Sequence, residues 1–393
     1  MEFALSKQRE EIVAKAAWVA RDFLAPRAAT YDESATHPVE NWHDLWEQGL
    51  LTAAVPEEYG GLGLDMQTYV MVIEQLAQGC TSTAMTMHMH SVVQRYIDAL
   101  ATPEQKATFY PDVVERGTLF GSWGSEPESR GGTGVRETEI AHGSNGEYVI
   151  NGDKHFCTMA GAAHRSIVHC TMRGYVGLDG YLLALVPIDA VGMTISGQWN
   201  TLGMRATVSP SVSFKDCHVS GECVLGEPGQ AIEKAIGQSF SLGYSAVYIG
   251  AAQRALEFTA EYAKTHQFAP DPTPLAHNIV VQRSVAEMTM ALEGARLVLY
   301  QSAAGWKDAG AQRRWVLAAR AKYLATEAAL MVTSRALQTI GGRSAHKSYP
   351  LERIFRDIRT CTLMPPNTDR AMQLIGEDAL GVGDESRESE DTF

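Results

Sequence analysis

Three stretches in the C-terminal part constrain this chain most: Ser239–Lys264, Asn278–Gly305 and Ala311–Ile340. Each is rich in alanine and leucine and free of interior proline. A proline inside a helix removes a hydrogen bond and strikes the preceding turn. Its absence over such lengths therefore predicts three long helices. Helices of this length pack as a bundle, and a bundle often also builds an oligomer interface.

The chain ahead of the bundle has two textures. Residues 1–116 read as successive helices: Ile12, Ala16, Val19 and Phe23 fall at helical spacing until Pro26 is expected to stop the run. Helices are further predicted around Trp42–Leu51, Asp65–Gln78 and Ser82–Leu100, with the glycine-dense loop Pro56–Leu64 between the first two. Thr102-Pro103-Glu104 reads as an N-cap with proline at the first helical position. Residues 117–226 instead carry short β-rich segments: Tyr148–Ile150, Lys154–Thr158, Ile167–Thr171, Tyr181–Val186, Met193–Ser196 and Ser211–His218. Their spacing predicts a small antiparallel sandwich or barrel. Residues 227–382 form the predicted bundle, and the acidic tail 383–393 is expected to be disordered.

Within the β segment, Asn151-Gly152 predicts a two-residue hairpin turn between Tyr148–Ile150 and a return strand Lys154–Thr158. On such a strand Phe156 and Thr158 share a face. A ring beside a hydroxyl can wall a flat heteroaromatic ligand. An ordinary hairpin with one buried phenylalanine fits the same residues.

The net charge of -13 argues against a nucleic-acid or anionic-membrane partner, since either calls for a basic face. No apolar run reaches the roughly 18 residues of a membrane span, and no signal peptide is read at the start. The six cysteines are scattered without a C-x-x-C pair, which suits free thiols in a reducing cytoplasm. His88 and His90 stand two apart on a predicted helix and face different ways, a poor metal pair, so no metal site is expected.

Six motifs in order carry a family likeness: PEEYGGLGL (56–64), Ser125-Glu126-Pro127, NGDKHFCTMAGAA (151–163), LGMRATVSPSVSFKDCHVSGECVLGEPGQ (202–230), GAAQRALEFTAEYA (250–263), and LQTIGG (337–342) with LERIFRD (351–357). Over nearly its whole length the chain resembles the acyl-CoA dehydrogenase superfamily of flavoproteins. The resemblance implies an α+β multidomain fold, with an N-terminal helical domain, a middle antiparallel β domain and a C-terminal four-helix bundle. It implies FAD bound between the β domain and the bundle. Thr158 would bond the flavin near N5 and Phe156 would flank the ring. Trp123, Gly124 and Ser125 would contact the pyrimidine side and the substrate channel. Gln338, Gly341 and Gly342 would touch the ADP part of FAD in a neighbouring subunit, in a homodimer or homotetramer. Backbone N–H groups at glycines suit phosphates; a helix C-cap after Ile340 is the compatible plain reading.

The sequence departs from the family at three places. The dehydrogenation step needs a carboxylate near the carbon α to the thioester. In most members that Glu follows the R-D pair, here Arg356-Asp357, by about eight residues, and proline stands there in LMPPNTD (363–369). The alternative Glu on the first long bundle helix corresponds to Phe240. Asp369 is the nearest carboxylate, read either as the base or as the cap of a helix starting near Arg370. Second, His266 replaces the arginine that reaches another subunit's FAD pyrophosphate, and a histidine is only partly charged at neutral pH. Third, Arg130-Gly131-Gly132 replaces a GSD turn, making Arg130 either an anion contact or an exposed loop residue.

Three activities stay open on these residues. The first is oxidation of an acyl thioester, on CoA or an acyl carrier protein, with an electron-transfer protein or O2 as acceptor. The second is a flavin-dependent monooxygenase using reduced flavin and O2, which needs no such base and whose relatives resemble Arg359–Leu363. The third is a non-catalytic flavin-binding protein. The Met-rich segment Cys80–His90 would line the channel, and Arg313, Arg314 and Arg320 are candidates for receiving an acidic carrier protein.

Overall fold

The computed structural model describes residues 5–127, 135–268 and 270–382. Arg130, Gly131 and Gly132 and the acidic stretch 383–393 lie outside the described residues.

The chain opens with α1 (Lys7–Val19), a π-helical turn at Ala20–Leu24 and α2 (Ala25–Ser34). Pro26 does not stop this run, contrary to expectation. The wider turn precedes it, and proline falls in the first turn of α2, where its missing N–H costs least. The path ends instead at Ala35, which is left-handed (φ 51°). There follow α3 (Val39–Glu47), α4 (Met66–Gly79), α5 (Thr81–Leu100) and α6 (Pro103–Arg116). Thr102 caps α6 through a capping box with Gln105, as its sequence predicts.

Among the described residues eight strands come next: β1 (Phe120–Trp123), β2 (Glu139–His142), β3 (Glu147–Lys154), β4 (Arg165–Met172), β5 (Tyr181–Pro187), β6 (Met193–Ser196), β7 (Ser211–Ser220) and β8 (Val224–Leu225). They form one sheet in the order β6-β7-β3-β2-β4-β5-β8, with β1 paired to β4. The ladders are antiparallel except that β1 and β2 both run parallel to β4, taking successive lengths of it.

The predicted hairpin at Asn151-Gly152 does not exist. β3 runs straight through these residues and pairs with β2 on one side and β7 on the other. A bulge in β7 is what the pair accommodates. Asp216, left-handed at φ 47°, donates its N–H to the Asn151 side chain at 2.8 Å. Gly152 passes so close to Thr138 that a Cβ there would lie 2.6 Å from its Cα. Residues after Lys154 turn away from the sheet, so Phe156 and Thr158 do not share a strand face.

After α7 (Gln230–Glu233) come the long helices α8 (Ser239–Thr265), α9 (Ile279–Ala304) and α10 (Ala311–Ile340), within a residue or so of the sequence reading. The last two helices are α11 (Leu351–Cys361) and α12 (Thr368–Leu380). α8 is the hub, packing on α4, α5, α9, α10 and α11. One apolar core joins the N-terminal helices to this bundle, a second wedges α5 and α6 against β1, β4 and β5, and a third lies within the sheet.

Candidate active site

Two loops leave the sheet side by side, residues 124–127 after β1 and 155–158 after β3. Their pairing is built from the sequence motifs. The His155 N–H donates to the Ser125 carbonyl at 2.8 Å, and the buried Trp123 indole N–H donates to the Thr158 carbonyl at 3.0 Å. Beneath them, Lys154 donates to Glu126 at 2.6 Å, with side chains 0% and 2% exposed. Glu126 also accepts the N–H groups of Glu137 (2.7 Å) and Thr138 (2.9 Å). Burial alone would raise the Glu126 carboxyl. The Lys154 ammonium and these donors overcome it and hold the group below its ordinary value. Burial likewise pulls Lys154 down. The sequence reads Ser125-Glu126-Pro127 and the segment holding Lys154 as motifs of the family likeness. The structure shows Glu126 and Lys154 as the post under both loops.

On this post Phe156 stands left-handed (φ 55°) and 60% exposed, with Trp199 edge-on at 6.2 Å. Thr158 is buried, and its hydroxyl oxygen accepts from Ser209 at 3.1 Å, so its own hydrogen is available to another acceptor. Ser125 is exposed. An exposed aromatic face beside a free hydroxyl donor suits a flat heteroaromatic ring, so this wall fits a flavin. Trp123, Gly124, Ser125, Phe156 and Thr158 are thus brought together.

The other candidates form a second group at the far end of α8. Gln338 is exposed in the last turn of α10, and Gly341 closes that helix, its N–H on the Leu337 carbonyl, followed by Gly342. His266 follows α8, its ring stacked on Tyr262 at 3.6 Å. A cation missed by the sequence reading stands here. Arg343 donates to the Tyr262 hydroxyl at 3.5 Å and lies over Phe268 at 5.7 Å. Its place directly after Gly341-Gly342 is the signal that would have found it.

The region of the expected base is apolar or already satisfied. Phe240, in the first turn of α8, sits against His88 (5.9 Å) and Tyr244 (6.1 Å). His88 is buried and pushed down to about 3 by its burial, so it is neutral. Its Nε2–H donates to the Phe240 carbonyl at 3.0 Å, and its Nδ1 accepts from Tyr69 at 2.8 Å. His90 points elsewhere, with Nε2 on the Leu51 carbonyl at 3.0 Å. Asp369 is exposed in the first turn of α12. It is not the cap: the helix starts at Thr368, and Asn367 accepts the Arg370 N–H at 2.9 Å.

The R-D pair proves to be an interdomain clamp. Arg356 grips both oxygens of Asp32 (3.1 and 2.6 Å) and the Leu202 carbonyl (3.0 Å). Asp357 accepts the Met204 N–H at 2.6 Å. Burial pushes Asp357 up to about 7 against that bond. Arg313 and Arg320 reach Asp378 at 3.6 and 2.7 Å, and Arg314 donates to the Trp306 carbonyl at 3.1 Å. All six cysteines are buried free thiols.

Comparison with known proteins matches this architecture along the chain. Residues 6–116 match the acyl-CoA dehydrogenase N-terminal domain, 121–217 the middle domain and 242–364 the C-terminal domain. The human short-chain specific acyl-CoA dehydrogenase is 32% identical over 349 residues, covering 86% of this chain and 83% of that protein. Among solved structures, butyryl-CoA dehydrogenase from Megasphaera elsdenii has a TM-score of 0.89 at 26% identity, covering 97% of this chain and all of that one. FMN-bound TdsC from Paenibacillus sp. A11-2, of which another structure is described as a dibenzothiophene monooxygenase, has a TM-score of 0.86 at 27% identity, covering 94% and 97%. The chain belongs to the acyl-CoA dehydrogenase family. It is a flavin-dependent oxidoreductase of that type.

Proposed function

We propose that this oxidoreductase binds FAD and oxidises the α,β C–C bond of an acyl thioester carried on CoA or a carrier protein. The observation that carries this reading is the wall of Phe156 and Thr158 on its buried Glu126–Lys154 post, in a chain similar to thioester dehydrogenases along its length. When bound, the flavin supplies a two-electron acceptor for the hydride. Thr158 donates its hydroxyl hydrogen to the ring edge, Phe156 covers a face, and Trp123 holds the Thr158 carbonyl in place. In a homodimer or homotetramer, Gln338, Gly341, Gly342 and His266 contact the ADP part of a neighbour's FAD. Arg343 supplies the permanent cation that His266 does not. Asp369 is the carboxylate assigned to the α-proton.

A second reading rests on Pro365 and Phe240, which leave both family positions for the base without a carboxylate, and on the likeness to TdsC. Here no α-proton base is needed, and Phe156 and Thr158 would hold a flavin that supplies the reducing equivalents for O2 chemistry on a small substrate. Anaerobic addition of acyl thioesters separates the two. Bleaching of the oxidised flavin band by a thioester alone establishes the dehydrogenase, and Asp369→Asn is then expected to lower the bleaching rate at least a hundredfold. An unaltered rate removes Asp369 as base. No bleaching with any thioester, but O2 uptake by the NADH-reduced flavin with an aromatic substrate, refutes the thioester reading.

A further inference from the structure

A cavity of about 530 Å³, lined by none of the residues of the flavin wall, lies between the glycine-rich loop, the C-terminal end of α5, residues 234–236 after α7 and the α9–α10 connection. Its lining has Arg95, Lys234 and Arg314 against one carboxylate, Asp98, which is itself 3.2 Å from Lys106. Arg95 is the unusual member. Among the described residues its Nε and Nη2 atoms are buried without a hydrogen-bond partner, and its guanidinium rests on the face of Tyr69 at 4.6 Å. A buried cation is costly unless paired and hydrogen-bonded. Trp306, with Arg314 over its ring at 5.5 Å, and Met66 and Ile236 give the same cavity apolar surface.

We propose that this cavity is a binding site for a small organic carboxylate, its carboxylate on Arg95 and its hydrocarbon body against Trp306, Met66 and Ile236. Arginine's planar fork matches a carboxylate in two parallel bonds, and the apolar side chains beside the cations give a short hydrocarbon body a surface to pack against. The carboxylate has two sources, a free acid or the far end of a carboxyl-terminated acyl substrate. The second source rests on the proposed thioester activity; the site itself does not. Arg95 lies two helical turns beyond His88 on α5, and Tyr69 joins them, its hydroxyl on His88 and its ring under Arg95.

The test is calorimetric titration of the flavin-loaded protein with hexanoate, with hexanamide as the uncharged control. Saturable binding of hexanoate but not hexanamide is expected. Arg95→Met should weaken it tenfold or more, since a charge-assisted bond is lost. Arg314→Gln provides a second variant should Arg95→Met fail to fold. Absence of saturable hexanoate binding, equal binding of hexanamide, or affinity unchanged in both variants overturns the proposal. Turnover then separates the sources. Hexanoate that competes with hexanoyl thioester, together with an adipoyl preference lost in Arg95→Met, marks a substrate-tail site. Hexanoate binding that leaves the thioester KM unchanged marks a site for a free acid.

Discussion

Replacing Lys154 with methionine tests whether the buried Glu126–Lys154 pair is the post under the flavin wall. At 2.6 Å and an effective dielectric near 20, the attraction between the two charges is about 6 kcal/mol. Desolvating each ion costs several kcal/mol, so the intact pair contributes little net stability. Lys154→Met removes the attraction but leaves the Glu126 charge buried, and breaking such a pair typically costs about 3–5 kcal/mol. The N–H groups of Glu137 and Thr138 still hold the carboxylate, which places the expected loss near the lower end, about 3 kcal/mol. The double variant Glu126→Gln/Lys154→Met carries no stranded charge. Its amide oxygen keeps one N–H partner and loses the other, for a cost of about 1–3 kcal/mol. Urea unfolding should therefore find the double variant more stable than Lys154→Met. Flavin retention on gel filtration should fall in Lys154→Met, because loops 124–127 and 155–158 lose their common support. A Lys154→Met loss below about 1 kcal/mol, or a double variant less stable than that single one, refutes the reasoning.

Other perturbations have similarly defined outcomes. Thr158→Val removes the free hydroxyl donor and should weaken flavin binding to deflavinated protein roughly tenfold, read by fluorescence titration. Gly243→Ala would set a Cβ 2.1 Å from the His88 ring, which Tyr69 and Phe240 hold on both sides. It should cost about 1–3 kcal/mol in urea unfolding, and less when combined with His88→Ala. Asp357 is raised to about 7 by burial, so it favours the fold fully below the unfolded carboxylate value and loses that contribution as pH rises through about 7. Relative to wild type, Asp357→Asn should gain up to about 4 kcal/mol in urea unfolding between pH 4 and pH 8, and no change with pH would contradict the assignment.

What was legible in the sequence depended on how local the cause was. The long helices α8, α9 and α10 and the Thr102 cap follow from residues within a few positions of each other. The Asn151-Gly152 pair did not, because the same unusual backbone serves a hairpin or a strand facing a bulge. The choice was made by β7, some sixty residues away, where Asp216 takes the left-handed turn and bonds Asn151. Pro26 was misread for a related reason: the π-helical turn before it depends on packing that no periodicity shows. The candidate flavin wall was marked in the sequence as residues, but its local structure was not. Phe156 and Thr158 were placed on a strand face, whereas the exposed ring owes its position to a turn beyond the strand. The clamp from Arg356 to Asp32 spans the chain and left no local trace.

The same accounting narrows the source of a base. His88, beside Phe240, is neutral with both ring nitrogens engaged. Glu74, buried on α4, gives one carboxylate oxygen to Arg296 and the other to Tyr300, each at 2.8 Å. Asp357 accepts the Met204 N–H inside the domain clamp, and removing it from that role would loosen the clamp. Each of these interior groups therefore already carries structural bonds. On the proposed dehydrogenase reading, the candidate for proton removal is then Asp369, exposed in the first turn of α12. A thioester-bleaching enzyme indifferent to Asp369→Asn would require one of the structural groups to leave its partners. That would show as a flavin-reduction rate lowered in Glu74→Gln or Asp357→Asn.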